Sequence, residues 1–595
     1  MSDPILLFLA LDAVALLLLG ACATALPPAA CGFLATTLGG LGALLCLPPL
    51  LMTTAATVLA LPLGPPGLPL QLALDPLSAF FLAFVFVAGT AVMAFHTTTQ
   101  TAPVQTTVLC LAGVAFSLLA ADAVTLAIGL GITCAALWPP RQRHPALLIP
   151  PLVLGAVCLL APSGFAPSFD AIRTAPVDPN HAAASAALTI IAVTSLAWAG
   201  SRTRCRTRDA LTAGLLVPTG AYLLLRLIAE LPASATPTWS GFVLILAGGA
   251  TTVIQGWRGA THPDIDGAIL CLVRRQAGLT MAGIGLALVA RAADLPGAAA
   301  FALAASFLAT MGTGLAAVPA TLAAHAIGES AGTYRLSRLG GLVHTMPATS
   351  AALAIGLLGL CAVPPGLGFA SLWLMFQSIQ SAPRTGGLLL QLPLALIGAA
   401  LALSAALATA GSLRVAGIAL LGRPRTPRGS AARENKSPAS TILLIVAGFS
   451  LIAGALPGST LWLLADPAIR ALTGARTGLA WVSPSAAAPG YLALPVLALL
   501  ALATGAVMLV PRWLRHDTRT AGVWADGMAP PVGLPFGEPE AQSAGQGFLP
   551  PLPDLPHPQR TLPAWPSLRP PTAAAGPWLV LAAFGALLLV LAVTL

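Results

Sequence analysis

The sequence predicts an all-α, polytopic membrane protein, a transmembrane helix bundle of about fifteen or sixteen spans. Of its 595 residues, 57% are hydrophobic and only 8% are charged, whereas about a quarter of the residues of a soluble domain are charged. So few charges cannot cover a soluble surface of this size. Apolar runs of about 20 residues, the length of a spanning helix, recur along nearly the whole chain. Backbone that meets lipid must satisfy its own hydrogen bonds, which makes these runs helices.

The helix candidates follow the apolar runs in order. The first run has only Asp3 before it and no basic leader, so we take it as a helix and not as a cleaved signal. We expect some of the longest runs to hold a helix followed by a broken half-helix. The predicted helices are 5–26, 29–60, 76–97, 104–120, 121–139, 146–162, 183–200, 209–231, 239–257, 265–292, 296–327, 346–362, 367–381, 386–421, 440–464, 490–511 and 576–595.

The position of the basic residues argues against a nucleic-acid-binding protein, despite a net charge of +9. The arginines lie in short loops between apolar runs, where they set the orientation of the chain in the bilayer. The nine cysteines are scattered and form no CxxC pair, so we expect packing residues and no metal or iron–sulfur site. The chain carries no nucleotide, flavin or haem motif, and we expect no cofactor.

Two acidic residues lie where predicted helices begin. Asp75 precedes Pro76, and a carboxylate followed by proline suits a helix start because the carboxylate accepts from exposed N–H groups. Asp122 lies close to the start of another predicted helix. It is interpreted either as a cap or loop residue or as part of a polar path.

Two pairs of polar residues are spaced to lie on one helix face. Arg226 and Glu230 are four residues apart and are expected to form an ion pair or to belong to a polar axis, since an isolated charge at bilayer depth is costly. His325 and Glu329 have the same spacing. Histidine titrates near neutral pH, so the second pair is either a proton relay or a satisfied polar patch near the headgroups.

Three ordered signatures resemble the antiporter-like membrane subunits of complex I and of group-4 membrane-bound hydrogenases. They are LGGL at 339–342 with Met346-Pro347, VPPGLGFASLW at 363–373, and RVAGIALLGRPR at 414–425. The string VWADGMAPP at 523–531 resembles one found in the hydrogenase branch, the branch of hydrogenase-4 component B and the formate hydrogenlyase membrane subunit.

The resemblance implies an antiporter-like fold with broken helices and inverted repeats. Pro364 and Pro365 are expected to break one helix, and Pro218 stands at a position where the family has lysine and is a second candidate for a break. The implied divisions are N-terminal helices at 1–120, a first half at 121–335, a second half at 336–515, a proline-rich segment at 516–575 and a terminal anchor at 576–595.

Most of the charges that the family uses to move protons are missing at the matching positions. A glutamate position is occupied by Gly131, with Asp122 as a nearby substitute, and Leu372 stands where glutamate is common. Arg414 keeps a positive charge, yet a guanidinium does not release its proton. Lysine positions are occupied by Thr189, Pro218, Asp266 and Ala317.

The expected function is therefore that of a membrane-arm subunit of a hydrogenase or NADH-quinone-oxidoreductase-type complex. It would be mainly structural, would translocate few or no protons, and would be a non-catalytic part of an oxidoreductase. Its implied partners are other membrane subunits in the cell inner (cytoplasmic) membrane. An alternative is a subunit of an ion transporter not coupled to redox chemistry, either a Mrp-type cation/proton antiporter or an inorganic-carbon pump. An unrelated transporter is a third alternative, which the three ordered signatures disfavour.

Overall fold

The computed structural model describes the chain in thirteen stretches. They are residues 4–23, 25–51, 58–61, 70–99, 104–137, 149–160, 168–170, 179–199, 207–229, 238–381, 388–434, 438–475 and 493–513. The predicted proline-rich segment at 516–575 and the anchor at 576–595 lie outside the described residues, as does the string at 523–531.

The described part is almost entirely helical, as predicted. Its first elements are α1 Pro4–Cys22, α2 Pro28–Leu45, α3 Leu47–Leu51, strands β1 Val58–Leu61 and β2 Leu70–Ala73, α4 Pro76–Thr99, α5 Val104–Leu119, α6 Ala123–Leu137, α7 Ile149–Leu160, α8 Pro179–Ala199, α9 Thr207–Leu211, the π segment π1 Thr212–Leu216, α10 Val217–Leu224 and π2 Leu225–Ala229.

The second part of the chain continues the bundle. Its elements are α11 Thr238–Thr261, α12 Ile265–Ala292, α13 Pro296–Met311, π3 Gly312–Ala317, α14 Val318–Ala331, a 3-10 turn Leu336–Arg338, α15 Leu342–Thr345, α16 Pro347–Leu360, α17 Leu367–Ser381, α18 Leu388–Leu420, α19 Pro427–Ala431, α20 Ala439–Ala455, α21 Pro457–Thr460, π4 Leu461–Ala465, α22 Asp466–Thr473 and α23 Ala493–Trp513.

Membrane spans can be identified among these elements by length and composition. Eight helices of the described part are long and apolar enough to cross a bilayer, and a ninth is added if the pair Ala439–Ala455 and Pro457–Thr473, bent by 101°, is one span. Six shorter apolar helices of 10–17 residues accompany them. The sequence-based number of fifteen or sixteen included such shorter helices, and the multi-pass architecture is confirmed.

One boundary prediction was wrong. The helix expected over 29–60 ends at Leu45, with a short further helix up to Leu51, and Val58–Leu61 is a strand. That strand pairs antiparallel with Leu70–Ala73. The backbone of Gln71 also accepts from Ala121 N at 2.9 Å, so the hairpin covers the turn between α5 and α6. Leu and Val are compatible with a helix or a strand, and the pairing of Val58–Leu61 with Leu70–Ala73 decides for the strand.

The core of the bundle is formed by three helical runs that are almost wholly covered by protein. In the spans Pro76–Thr99, Asp209–Ala229 and Pro296–Ala331, 89%, 94% and 94% of the most apolar window is buried, against 39% for Leu394–Leu420. Large apolar side chains of α18, α23, α1 and α2 are instead exposed. A helix that leaves its apolar face uncovered in a protein of this composition faces lipid.

Three of the four π segments in the described part of the chain end two residues before a proline. Pro218 follows π1 and Val217, Pro319 follows π3 and Val318, and Pro467 follows π4 and Asp466. Proline has no N–H with which to bond the carbonyl four residues earlier, and a π turn is one way for a continuous helix to absorb that loss. At the first of these sites the Thr219 hydroxyl donates to the Leu215 carbonyl at 2.6 Å.

Helices α11 and α12 meet along a seam of glycines. A Cβ built on Gly248 would lie 2.6 Å from both Ala282 N and Gly278 O, and one built on Gly285 would lie 2.8 Å from Ile245 N. These distances are too short for any side chain, so the two backbones are in direct contact. Small residues that allow such an approach stabilise helix pairs in membranes, where apolar burial gives little driving force.

Candidate functional site

An arginine clamp holds the ends of α4 and π2 together. Asp75 caps α4, since its Oδ1 accepts from Ser78 N at 2.8 Å, as predicted from the Asp-Pro sequence. Its Oδ2 accepts from Nη1 of Arg226 at 2.5 Å, with both side chains largely buried. The guanidinium carbon also lies 5.0 Å from the ring centroid of Phe169 and 5.5 Å from that of Tyr222. Arg226 is therefore neutralised by a carboxylate from a distant part of the chain.

The Arg226–Glu230 pair expected from helical spacing stays a prediction, because Glu230 lies outside the described residues. The ion pair with Asp75 was missed because the two residues are 151 positions apart. Tyr222 extends the same cluster: its hydroxyl donates to Leu118 O at 3.1 Å and lies 3.3 Å from Ser78 Oγ. The cluster thus links three helices at one end of the bundle.

Asp122 lies in the turn before α6. Its Oδ1 accepts from Thr125 N at 3.0 Å, and its backbone forms a bridge with Ser168. Burial raises the pKa of this carboxyl, while the hydrogen bonds from Thr125 act in the opposite direction. Of the two interpretations given above, this geometry fits the helix cap.

A polar cluster lies at the opposite end of the core, around His325. His325 Nδ1 lies 3.1 Å from Tyr334 Oη, and the same hydroxyl donates to Glu329 Oε1 at 3.0 Å. His325 and Glu329 are therefore joined through a tyrosine that sequence reasoning missed. His96, fully buried on α4, is close enough to His325 for their charges to interact.

The cluster around His325 borders a small pocket. Its lining residues are Asp209, Asp266, Thr321, His325 and Tyr334. Asp266 is at the start of α12, where its Oδ1 accepts from Gly267 N at 2.9 Å. The structure thus brings together three residues singled out from the sequence, His325, Glu329 and Asp266. The contribution of Asp209 was missed, and its place at the first turn of a predicted helix was the available signal.

Arg275 occupies the middle of the bundle. It lies about 15 Å along α12 from Ile265, the first residue of this 28-residue helix, and it is fully buried. Its Nε donates to Ser404 Oγ at 2.8 Å and its Nη1 to Leu360 O at 3.0 Å. Nη1 also donates to Gln276 Oε1 at 3.2 Å. These bonds connect α12 to α18 and to the last residue of α16.

The carbonyl of Leu360 is available to Arg275 because the helix stops there. Helix α16 ends at Leu360 and α17 begins at Leu367, with Pro364 and Pro365 between them, joined by a cis peptide bond. Pro218, the other candidate for a break, lies inside a helical run that continues through π1 and α10. There the π turn accommodates the N–H that proline lacks, and the helix is not interrupted.

Arg414 lies near one end of α18, away from the middle of the bundle. Its Nη1 donates to Ala260 O at 3.0 Å and to His262 O at 2.9 Å. The side chain therefore closes the C-terminus of α11, where carbonyls have no partner within the helix. The fully buried guanidinium inside the bundle is that of Arg275, to which sequence reasoning assigned no role. The signal was a second arginine directly after Arg274 in an apolar run.

Part of the chain matches a known family. Residues 208–398 match the family described as NADH:quinone oxidoreductase/Mrp antiporter, transmembrane. Hydrogenase-4 component B of Escherichia coli (strain K12) is 28% identical over 248 residues, which are 41% of this chain and 36% of that protein. The chain thus matches little more than a third of the length of this relative.

Two solved structures share the fold at lower identity. A chain of the Mrp complex from Dietzia sp. DQ12-45-1b superposes with a TM-score of 0.65 and 22% identity, covering 86% of this chain and 56% of that one. A chain of the membrane-bound sulfane sulfur reductase, an archaeal respiratory membrane complex, gives a TM-score of 0.70 and 19% identity, covering 89% of each chain. The resemblance read from the three signatures is confirmed: residues 208–398 match the NADH:quinone oxidoreductase/Mrp antiporter family, and the chain has a multi-pass, antiporter-like membrane fold.

Proposed function

We propose that this protein is a structural membrane-arm subunit of a hydrogenase or NADH-quinone-oxidoreductase-type complex, with reduced or absent proton translocation. The observation that carries the proposal is the fixed charge of Arg275, which is fully buried inside the apolar helix bundle. The similarity to hydrogenase-4 component B supports the redox branch of the family.

A permanent positive charge in this position does not relay protons. A guanidinium stays protonated at any pH that a protein meets, so it cannot take up and release a proton as a buried lysine can. The acceptors of Arg275 are a hydroxyl, an amide oxygen and a main-chain carbonyl, all of them neutral. None of these acceptors takes up or releases a proton near neutral pH, so the contacts of Arg275 supply no proton-transfer step.

Two groups of titratable residues lie at opposite ends of the core. One set, around Asp75 and Arg226, is held in an ion pair at one end of the core. The other, around His325, lies at the opposite end. Two further arginines of the spans donate to main-chain carbonyls, Arg291 to Ala229 O and Arg414 to Ala260 O. Such contacts stabilise helix packing and offer no proton to pass on.

The orientation proposed for the chain follows from its arginines. The end that carries the His325 cluster also carries the arginine-rich connections Arg335–Arg338 and Arg423–Arg433, where Arg425 Nη1 donates to Ser337 O at 3.2 Å. Positively charged short loops stay on the cytoplasmic side. We therefore place this end in the cytoplasm and the protein in the inner (cytoplasmic) membrane, with the two antiporter-like halves at 121–335 and 336–515.

Co-purification tests the assignment to a complex. The full chain, tagged and extracted from its native membrane in a mild detergent, is expected to bring down other membrane subunits together with a peripheral redox module. An unrelated multi-pass protein of the same membrane with the same tag serves as the control. Recovery of the chain alone, or with cation-antiporter subunits only, contradicts the proposal.

Proteoliposomes test the loss of translocation. The purified chain, reconstituted with a pH-sensitive dye inside the vesicles, is expected to dissipate an imposed pH gradient no faster than empty vesicles do. The matched control is His344→Gln, on the exposed side of α15. Proton flux that falls in His325→Gln or Arg414→Leu but persists in this control would show a working proton path and contradict the proposed loss of translocation.

A second candidate is a subunit of a Mrp-type cation/proton antiporter. The pocket bordered by Asp209, Asp266 and His325 favours it, since carboxylates suit a bound cation, and the Mrp complex shares the fold. Sodium-driven proton movement in the same vesicles, abolished by Asp266→Asn, would select this candidate. Its absence selects the structural one.

A further inference from the structure

We propose that Arg275 and Gln276 bind a small inorganic anion of the halide class inside the helix bundle. Both side chains are fully buried, and both carry hydrogen-bond donors without an acceptor among the residues that the structure describes. This inference is independent of whether the protein belongs to a redox complex or to an ion transporter.

The unused donors are identified by the bonds that their neighbours make. Arginine has donors on Nε, Nη1 and Nη2 and no acceptor. Nε and Nη1 of Arg275 are occupied by Ser404 Oγ, Leu360 O and Gln276 Oε1, while Nη2 has no acceptor within the described stretches. Because Gln276 Oε1 accepts from Nη1, the other end of that amide is the N–H₂ group, and this Nε2 has no acceptor in the same stretches either.

The two unused groups belong to one short hydrogen-bonded unit. The Nη1···Oε1 hydrogen bond of 3.2 Å joins the guanidinium to the amide. Nη2 is attached to the same carbon as Nη1, and Nε2 to the same carbon as Oε1. Buried donors are nearly always satisfied by protein, water or an ion. Two of them in one hydrogen-bonded unit, one on a cation, therefore indicate an acceptor that the described residues do not supply.

Charge selects an anion as that acceptor. No carboxylate pairs with Arg275 in the part of the chain that the structure covers. The Cys361 thiol is close enough for an electrostatic interaction, but its Sγ donates to Leu358 O at 3.3 Å, as a neutral thiol does. A water molecule would accept from the two donors and leave the charge unchanged. An anion accepts from them and also neutralises the guanidinium.

The surroundings favour a monoatomic anion. Phosphate or sulfate would need several further donors, and the described residues offer only these two unused groups at the site. On the amide side the chain presents Gly312, the first residue of π3, and a Cβ there would lie 3.3 Å from Gln276 Nε2. The missing side chain leaves this nitrogen open where any other residue would crowd it.

Halide-dependent stability of the purified full chain tests the proposal. Thermal unfolding is followed in one detergent at constant ionic strength while sodium gluconate is replaced by sodium chloride or sodium bromide. We expect a saturable rise of Tm with either halide. Gln276→Leu, which removes one donor to the anion, should raise the half-saturating bromide concentration about tenfold or more.

Two variants complete the test. Arg275→Gln should abolish the halide effect, whereas Arg291→Gln, on the same helix but bound to Ala229 O, should keep it. Since Arg275→Gln could fail to fold, the Gln276→Leu titration and the bromide anomalous signal of wild-type crystals provide separate readouts. An unchanged Tm in halide, an equal response of wild type and Gln276→Leu, or crystals in bromide without an anomalous peak at Arg275 would each overturn the proposal.

Discussion

Replacing Asp75 with asparagine removes the charge that faces Arg226 and leaves the helix cap in place. Asparagine caps helices about as well as aspartate, so the bond from Ser78 N is retained. Arg226, whose side chain is 2% exposed, then loses its carboxylate inside the protein. Removal of one partner of a buried ion pair costs about 3–5 kcal/mol, and the nearby rings of Phe169 and Tyr222 offset part of this through cation–π attraction. We expect the free energy of unfolding to fall by about 3 kcal/mol.

The assay is unfolding in mixed micelles with an increasing mole fraction of SDS, followed by far-ultraviolet circular dichroism. Arg226→Met and the double variant with Asp75→Asn complete a cycle, in which the double variant should be less destabilised than the sum of the single ones. Asp75→Ser, a capping residue of different size, checks that the cap is not responsible. A loss of less than about 0.5 kcal/mol in the free energy of unfolding for Asp75→Asn, or additive effects of the single substitutions, would refute a stabilising Asp75–Arg226 ion pair.

Three further substitutions probe other contacts. Tyr334→Phe removes the hydroxyl that joins an imidazole to a carboxylate at 3.1 and 3.0 Å, and should cost about 1–3 kcal/mol in the same unfolding assay. Gly248→Ala places a Cβ 2.6 Å from the backbone of α12 and should lower the free energy of unfolding by about 1–3 kcal/mol. Its control Gly398→Ala, with open space around the new Cβ, should be neutral or slightly stabilising. Equal effects of the two substitutions would argue against the close contact of α11 and α12. Arg414→Leu should cost about 1.5–3 kcal/mol and speed amide hydrogen exchange at the end of α11, and unchanged exchange there would contradict the closing contact.

Composition and local pattern predicted the class of the fold, because bilayer thickness and backbone hydrogen bonding leave few choices to an apolar chain. Local chemistry also predicted the cap at Asp75. The family resemblance suggested a break at Pro364 and Pro365, which lie between the end of α16 and the start of α17. Each of these rests on neighbours in sequence. The end of the helix predicted over 29–60 failed because pairing with Leu70–Ala73 decides it, and that partner is not local.

The candidate site was harder to predict for the same reason. Helical spacing suggested a partner for Arg226 one turn away, and the structure supplies Asp75 from another helix. Spacing did bring His325 and Glu329 to one cluster, but it did not reveal Tyr334 between them. Matching to family motifs drew attention to missing lysines and to Arg414. It gave no weight to Arg275, whose importance comes from burial and depth, which only the assembled bundle defines.

The glycine seam between α11 and α12 has a mechanical consequence. A contact closed by backbone atoms contains no side chains whose rearrangement could absorb a small rotation of one helix against the other. The two helices therefore move as one rigid unit, which carries Arg275 in its interior and is held at one end by Arg414. Conformational changes of the bundle are therefore expected outside this helix pair, at the interruption between Leu360 and Leu367 or along the π segments.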